Sequence, residues 1–235
     1  MPPARKDRET PPPEKLRATL QEQPLVRLPS EAKAAIAVVF ESSEPRLLFI
    51  QRAEHPHDPW SGHIAFPGGR HDPEDADLRA TAQRETLEEI GLDLTKGDYL
   101  GQLDDVQTNI SSLVVSGFAY AAPRHRHRLN EEVEDCFWVP LSHLAEERRR
   151  THISVRARRF PALSLNPDKP LLWGITYRFV EQPFRHGFPA RRLTVPRSLV
   201  LYPASLVLVA ATVGGGWWWT GVQGGEDGDN PAITV

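Results

Sequence analysis

The chain has 235 residues, a net charge of −3 and 40% hydrophobic content. That suits one domain of ordinary size plus extensions, and it excludes a global basic field calling for nucleic acid. One cysteine, Cys136, excludes an intramolecular disulfide framework; beside Phe137 and Trp138 it is expected in the core.

Residues 1–30 carry Pro2, Pro3, Pro11, Pro12, Pro13, Pro24 and Pro29 among charges. Proline opposes helix and central strand, so a disordered lead is expected, with a short helix from Glu14 to Gln23. It reads as a plain tail rather than a polyproline ligand, and no apolar run of the secretory kind is expected in it. Ala34 to Phe40 is a short apolar run suited to a buried strand. After a turn from Glu41 to Pro45, Arg46 to Arg52 is a second strand, paired with or beside the first. Arg52 to Gly69 reads as loop, short strand, loop. His55, His57, His63 and His71 are expected at the surface or beside phosphate, because their spacing fits no zinc pattern.

Residues 66–92, FPGGRHDPEDADLRATAQRETLEEIGL, read as a glycine turn, an acidic loop and one helix. Pro67-Gly68-Gly69 permits a tight turn and a close backbone approach. Asp72 or Asp75 is the expected cap. Leu78, Ala82, Leu87 and Ile90 suggest the buried side, and Gly91 is the expected stop. Glu85, Glu88 and Glu89 fall at i, i+3 and i+4 and share a face. Like charges so placed repel; a hard divalent cation, which takes oxygen ligands, would offset that. The alternative is a solvated acidic face.

Beyond the helix, Tyr99 to Val106 and Leu113 to Ala122 read as strands separated by a turn over Thr108 to Ser112. Arg124-His125-Arg126-His127-Arg128 is a solvated basic loop or an anion site. Cys136 to Pro140 reads as a strand end and Leu141 to Arg149 as a short helix. Arg148, Arg149, Arg150, Arg156, Arg158 and Arg159 then crowd a stretch with no assigned element. Leu171 to Val180 is the expected last element of the domain. The tail is different in kind: no charge lies between Arg197 and Glu226, and Leu199 to Trp219 is a 21-residue uncharged run. About 20 apolar residues span a bilayer as a helix. Arg185, Arg191, Arg192 and Arg197 before it, with Glu226, Asp227 and Asp229 after it, would keep the preceding domain cytoplasmic. Pro203 and Gly214-Gly215-Gly216 oppose a helix, so a packed apolar extension, or a tail without a role, stands beside the membrane reading.

Arg84-Glu85-Thr86-Leu87-Glu88-Glu89-Ile90-Gly91-Leu92 resembles the second half of the Nudix box, G-x5-E-x7-R-E-U-x-E-E-x-G-U with U apolar. Where the pattern has its first Glu, eight residues before Arg84, stands Ala76. Gly69 and Asp75 keep the first spacing, so the loop reads as one residue longer, with Asp75 or Glu74 in the acidic role. DPWSG at 58–62, FPGG at 66–69, YLGQLDD at 99–105, EEVEDCFWVPL at 131–141 and WGITYRF at 173–179 extend the likeness to the coenzyme A pyrophosphatase-like subgroup. That subgroup carries Arg four residues before the loop glycine. Here Asp58 precedes Gly62 at that spacing, an acid where a base would greet an acidic coenzyme.

The resemblance implies an α/β protein, an α/β/α sandwich with a mixed sheet and a loop-helix-loop catalytic motif over residues 31–182. The lead is then 1–30 and the extension 183–235. It implies cleavage of a pyrophosphate bond in a nucleoside diphosphate-linked small molecule, coenzyme A or a related nucleotide, with Mg²⁺ or Mn²⁺. Glu85 and Glu89 are then the expected metal ligands with the Gly69 carbonyl. Glu88 supports them or positions water, and Arg84 braces the carboxylates. Glu132 and Glu131 are candidate bases, followed by Asp104 and Asp105; Arg52, Gly68 and Gly69 are candidate substrate contacts. A homodimer is compatible with this reading. The alternative, prompted by Ala76, is a Nudix-fold module that binds nucleotide without turnover.

Overall fold

The computed structural model describes residues 13–185 apart from 23, 31–32, 57, 59, 109–112, 125 and 156. The candidate membrane segment at 199–219 lies outside the described residues, and so do the first half of the lead and His57. No helix among the described residues is long and apolar enough to cross a membrane.

The central strand is β1 (Lys33–Glu41). Its side chains alternate between two cores, as a strand buried on both faces must. Ala35, Ala37 and Val39 point to one core, shared with Ala82 and Ile90. Ala34, Val38 and Phe40 point to the other, shared with Leu144, Leu163, Leu172 and Phe179. β2 (Arg46–Arg52) returns antiparallel beside β1, as the short polar turn between them requires. β3 (Ile64–Ala65) adds to β2, and β4 (Gly68–Arg70) pairs antiparallel with β1, Gly69 opposite Ala35.

The other side of β1 takes β7 (Val114–Ala122) in parallel, from Lys33 opposite Val114 to Glu41 opposite Ala122. β5 (Asp98–Gln102) and β6 (Val106–Gln107) flank β7, and β8 (Val133–Pro140) flanks β2. The main sheet is therefore mixed, ordered β3-β2-β1-β7-β5, with β4, β6 and β8 added to it. Helix α2 (Leu78–Ile90) covers one face. The other face is covered by α1 (Pro13–Glu22), α3 (Leu141–Leu144), α4 (Gly174–Arg185) and a small second sheet. This is the expected α/β/α layering.

The lead differs from a free tail in its second half. The helix expected over Glu14 to Gln23 is α1, and its Leu20 is buried in the core. Val26 and Leu28 then donate their amides to the carboxylates of Asp104 and Asp105, at 3.0 and 2.9 Å.

The arginine-rich stretch is a hairpin. β9 (Arg150–Val155) and β10 (Arg158–Leu163) pair antiparallel and β11 (Leu172–Trp173) completes a second sheet. The helix expected over Leu141 to Arg149 divides into α3 and a 3₁₀ turn at Glu147–Arg149. The stretch from Leu171 to Val180 is two elements, β11 and the start of α4. Arg150 ties the hairpin to α4: it donates to the Tyr177 hydroxyl at 2.7 Å and to buried Glu181 at 3.1 Å.

Val155 opposite Arg158 leaves two residues to turn the hairpin, and Ala157 stands at φ 61°. Such turns favour glycine, because a Cβ at positive φ crowds the following carbonyl. Ala157→Gly should raise the unfolding free energy in urea by about 0.5–1 kcal/mol, and Ala157→Val should lower it by about 1 kcal/mol.

Candidate active site

Asp77, in extended backbone, caps α2 by accepting the Ala80 amide at 2.7 Å. The cap is neither Asp72 nor Asp75, since both are spent inside the preceding loop. Asp72 accepts the Glu74 amide at 2.8 Å, and Asp75 is held by Arg84 and Thr81. The helix ends as expected at Gly91, φ 70°, whose amide reaches Leu87 O.

The buried face of α2 is Thr81, Ala82, Glu85, Thr86, Glu89 and Ile90. Leu87, expected inside, is 49% exposed. At about 100° per residue, two residues past Glu85 is the far side of the helix. Two glutamates thus occupy positions that a leucine would ordinarily take. What they face explains it: β4 presents glycine backbone. The Gly68 amide donates to Glu89 Oε2 at 2.9 Å. A Cβ on Gly69 would run into the Glu85 carboxylate, and one on Gly68 into the backbone of Ala35. Gly68 also stands at φ 148°, which glycine alone adopts easily.

Burial without enough positive charge disfavours the anionic forms. The Glu85 carboxyl is pushed up to about 7 by burial, against the pull of Arg84. Fully enclosed Glu89 is pushed up to about 8 by burial, against the Gly68 amide and the Arg52 charge. Glu88 does not join them. It is 100° round the helix from Glu89, half-exposed, and tied to Arg84 Nη1 at 3.1 Å. The platform of three carboxylates is therefore two buried acids and one outlying one. Among the described residues no three acidic, histidine or cysteine side chains stand as a ready cage.

Arg84 is the hub. Its Nε and Nη2 grip Asp75 at 2.9 and 3.0 Å, and Nη1 bridges Glu85 at 3.0 Å and Glu88. That bidentate grip holds the Asp75 carboxyl down to about 2. Asp75 thus meets the arginine across the lengthened loop, and exposed Glu74 does not.

Glu132 stands on the turn after residue 130. Its carbonyl accepts the Ala53 amide at 2.9 Å, and its amide reaches Asn130 Oδ1 at 3.0 Å. Asn130 in turn donates its amide to Glu89 O at 3.0 Å, which docks the turn on α2. The Glu132 charge opposes ionisation of both Glu85 and Glu89, as that of a nearby carboxylate does. Glu131 is exposed on that turn. Asp104 and Asp105 lie elsewhere, satisfying the backbone of the lead, and are not candidates for the base. Asn130 is the contributor that sequence reasoning missed; only the Asn-Glu-Glu turn chemistry could have signalled it.

Arg52 donates Nη2 to Asp58 at 2.7 Å, with both side chains largely buried, 12% and 6% exposed. Asp58 therefore does not present an acid to incoming substrate; it is the partner of the arginine. Of the histidines, His71 meets Thr81 at 3.0 Å, and His63 is partly buried and packs among rings. Cys136, expected in the core, is only partly buried against its edge, and burial pushes its thiol up to about 12, which disfavours the thiolate.

The donor set suits a hard divalent cation: carboxylate oxygens of Glu85 and Glu89 beside glycine backbone, each destabilised in its charged form until a cation compensates. The shape suits it too, since the space above Gly69 is filled by the Glu85 carboxylate and by no Cβ.

The NUDIX domain family model matches residues 31–160. An uncharacterized protein of Schizosaccharomyces pombe is 33% identical over 156 residues, 56% of this chain and 47% of that one; the chain spans about half the length of that relative. Mitochondrial coenzyme A diphosphatase NUDT8 of Mus musculus is 29% identical over 179 residues, 72% of this chain and 84% of it. The crystal structure of a MutT/nudix family protein from Enterococcus faecalis aligns over 73% of this chain and 67% of that chain, at 14% identity and a TM-score of 0.47.

Three outcomes are expected from this geometry. Gly68→Ala should cost the fold about 2 kcal/mol or more in urea, since backbone must move. Gly69→Ala should cost about 1 kcal/mol yet abolish saturable Mg²⁺ binding by calorimetry, since only a carboxylate is displaced. Asp75→Asn should destabilise by about 1–2 kcal/mol at pH 7. The Asp75 carboxyl is held low, so its contribution is whole above about pH 4 and fades as pH falls through about 2. Denaturation midpoints of wild type and variant should converge over that window.

Proposed function

The chain belongs to the Nudix family, and from that premise we propose that it hydrolyses the pyrophosphate bond of a nucleoside diphosphate-linked small molecule with a divalent cation, Mg²⁺ or Mn²⁺. The observation that carries the reading is the burial of Glu85 and Glu89 against the glycine backbone of β4, beside Arg52 and Glu132.

In this reading Glu85 and Glu89 hold the cation, with the Gly69 carbonyl as a further donor. Bound there, a divalent cation neutralises phosphate oxygens and lowers the pKa of water. The chain's own groups do the rest. Gly68 fixes Glu89 by its amide, so that carboxylate keeps one orientation. Arg84, gripped by Asp75, fixes Glu85 and restrains Glu88, which orders water at the exposed edge. Glu132 takes the proton from attacking water. Arg52, aimed by Asp58, draws a substrate phosphate toward the acids and offsets its charge.

The Asp75–Arg84 grip supports this over a module that binds without turnover, since the acid missing at position 76 is supplied from position 75. The name of the mouse relative makes coenzyme A the first substrate to try. The Arg52–Asp58 pair supports keeping it on the panel, because the acid at position 58 is already neutralised.

The test is a panel of coenzyme A, ADP-ribose, NADH and dinucleoside polyphosphates on the full chain, with products separated by chromatography. At least one should be cleaved with Mg²⁺ or Mn²⁺ and none with chelator. Glu89→Gln and Glu132→Gln should each lower kcat by about 10²-fold or more. Undiminished hydrolysis by Glu89→Gln would sink the assignment.

A further inference from the structure

The last turn of a helix leaves backbone carbonyls that need partners from outside it. For α2 the loop after β7 supplies them. The Arg128 amide donates to Ile90 O at 3.0 Å, and the Asn130 amide to Glu89 O at 3.0 Å. The fit is close, since a Cβ on Gly91 would stand 3.1 Å from Arg128 Cβ. Glu89 is thus held at two points: its carboxylate by the Gly68 amide and its carbonyl by the loop.

Asn130 then turns the chain. Its Oδ1 accepts the Glu132 amide at 3.0 Å, the Asx turn that asparagine and aspartate form. Its carbonyl accepts the Val133 amide at 3.4 Å. On the far side the Ala53 amide, one residue beyond Arg52, donates to Glu132 O at 2.9 Å. β8 is bulged here. Gln51 pairs with Asp135 but Arg52 with Val133, so Glu134 is an extra residue. Strict alternation would put Val133 on the face where Phe137 packs. The bulge turns it into the core under α2, with Ala82 and Ile90. Bulges re-aim side chains in this way beside active sites. The backbone of Glu132 is therefore fixed from three sides: by the Asn130 side chain, by Ala53 and by the bulged strand.

We infer that Asn130 is a positioning residue for the hydrolysis: it ties the backbone of Glu132 to the end of the helix that carries Glu85 and Glu89. This rests on the reading of Glu132 as the group that takes the proton from attacking water. Acceptor and cation ligands then keep one spacing, because both are set by the same helix. A carboxylate on a free loop would reach the water in only a fraction of encounters, and small misplacements of reacting groups cost large factors in rate. Asn130 touches no reacting atom in this account; its effect runs through Glu132.

The experiment is steady-state kinetics of the full chain in Mg²⁺ on whichever of coenzyme A, ADP-ribose, NADH and the dinucleoside polyphosphates it cleaves fastest. Asn130→Ala should lower kcat roughly tenfold with KM within about twofold of wild type. Asn130→Asp, whose carboxylate accepts the same amide, should regain most of the loss. Asn130→Gln places its amide one methylene too far to close the turn, and should show the same loss if Asn130→Ala fails to fold. In a Glu132→Gln background Asn130→Ala should lower kcat no further, because nothing is left to position. An equal further loss in that background, or unchanged kcat in the single variants, would overturn the role and leave Asn130 as a helix-end contact. Wild-type rates in Glu132→Gln would remove the base and its positioning residue together, with the cation site intact. A chain that cleaves nothing on the panel would remove the hydrolase reading as well.

Discussion

Two carboxylates buried against the backbone of two successive glycines are the constraint on which the rest depends. Glu85 and Glu89 could not keep their places on the inner face of α2 if Gly68 and Gly69 carried Cβ atoms, because one would meet the Glu85 carboxylate and the other would meet the Ala35 backbone and displace the amide that holds Glu89. The cost of enclosing them appears as carboxyls displaced toward neutrality. Such groups are rarely buried without partners, and here the partners are drawn from every side. Arg84 comes from the same helix, Arg52 from β2, and the Asn130 turn docks on the helix end beside them.

Around that centre the molecule separates binding from support. The face of the main sheet under α2 holds small residues, Ala35 and Ala37, which let the helix approach closely. The opposite face is filled by larger groups, Phe49, Leu144 and Phe179, and carries α4 and the second sheet. The hairpin that the sequence leaves unassigned belongs to this second layer. It places Phe160 against Trp173, whose ring in turn meets Trp60 and His63.

The helix half of the motif was legible because its chemistry and its spacing coincide. Arg84, Glu85 and Glu89 stand where residue types and a 3.6-residue turn place them. Leu87 was misread for a physical reason: an apolar stripe is a sound guide to burial only when nothing polar has a stronger claim on the inner face. The cap was misread because the loop offers Asp72, Asp75 and Asp77, and composition cannot say which are spent on other partners. Asp58 read as a repelling acid because its partner lies six residues back across a loop that sequence does not fold. The hairpin escaped notice because β9, Arg-Thr-His-Ile-Ser-Val, is exposed along half its length and buries none of its residues, leaving no clear apolar alternation to detect.

The parallel pairing of β1 with β7 carries a kinetic consequence. Residues 33–41 must find residues 114–122 before the main sheet exists, and closing so long a segment is slow compared with forming α2 or the β9–β10 hairpin. The glycine strand takes its position from β1, so the shared enclosure of the two glutamates depends on β1 being in place. A cation bound between the two glutamates would favour the native state by mass action.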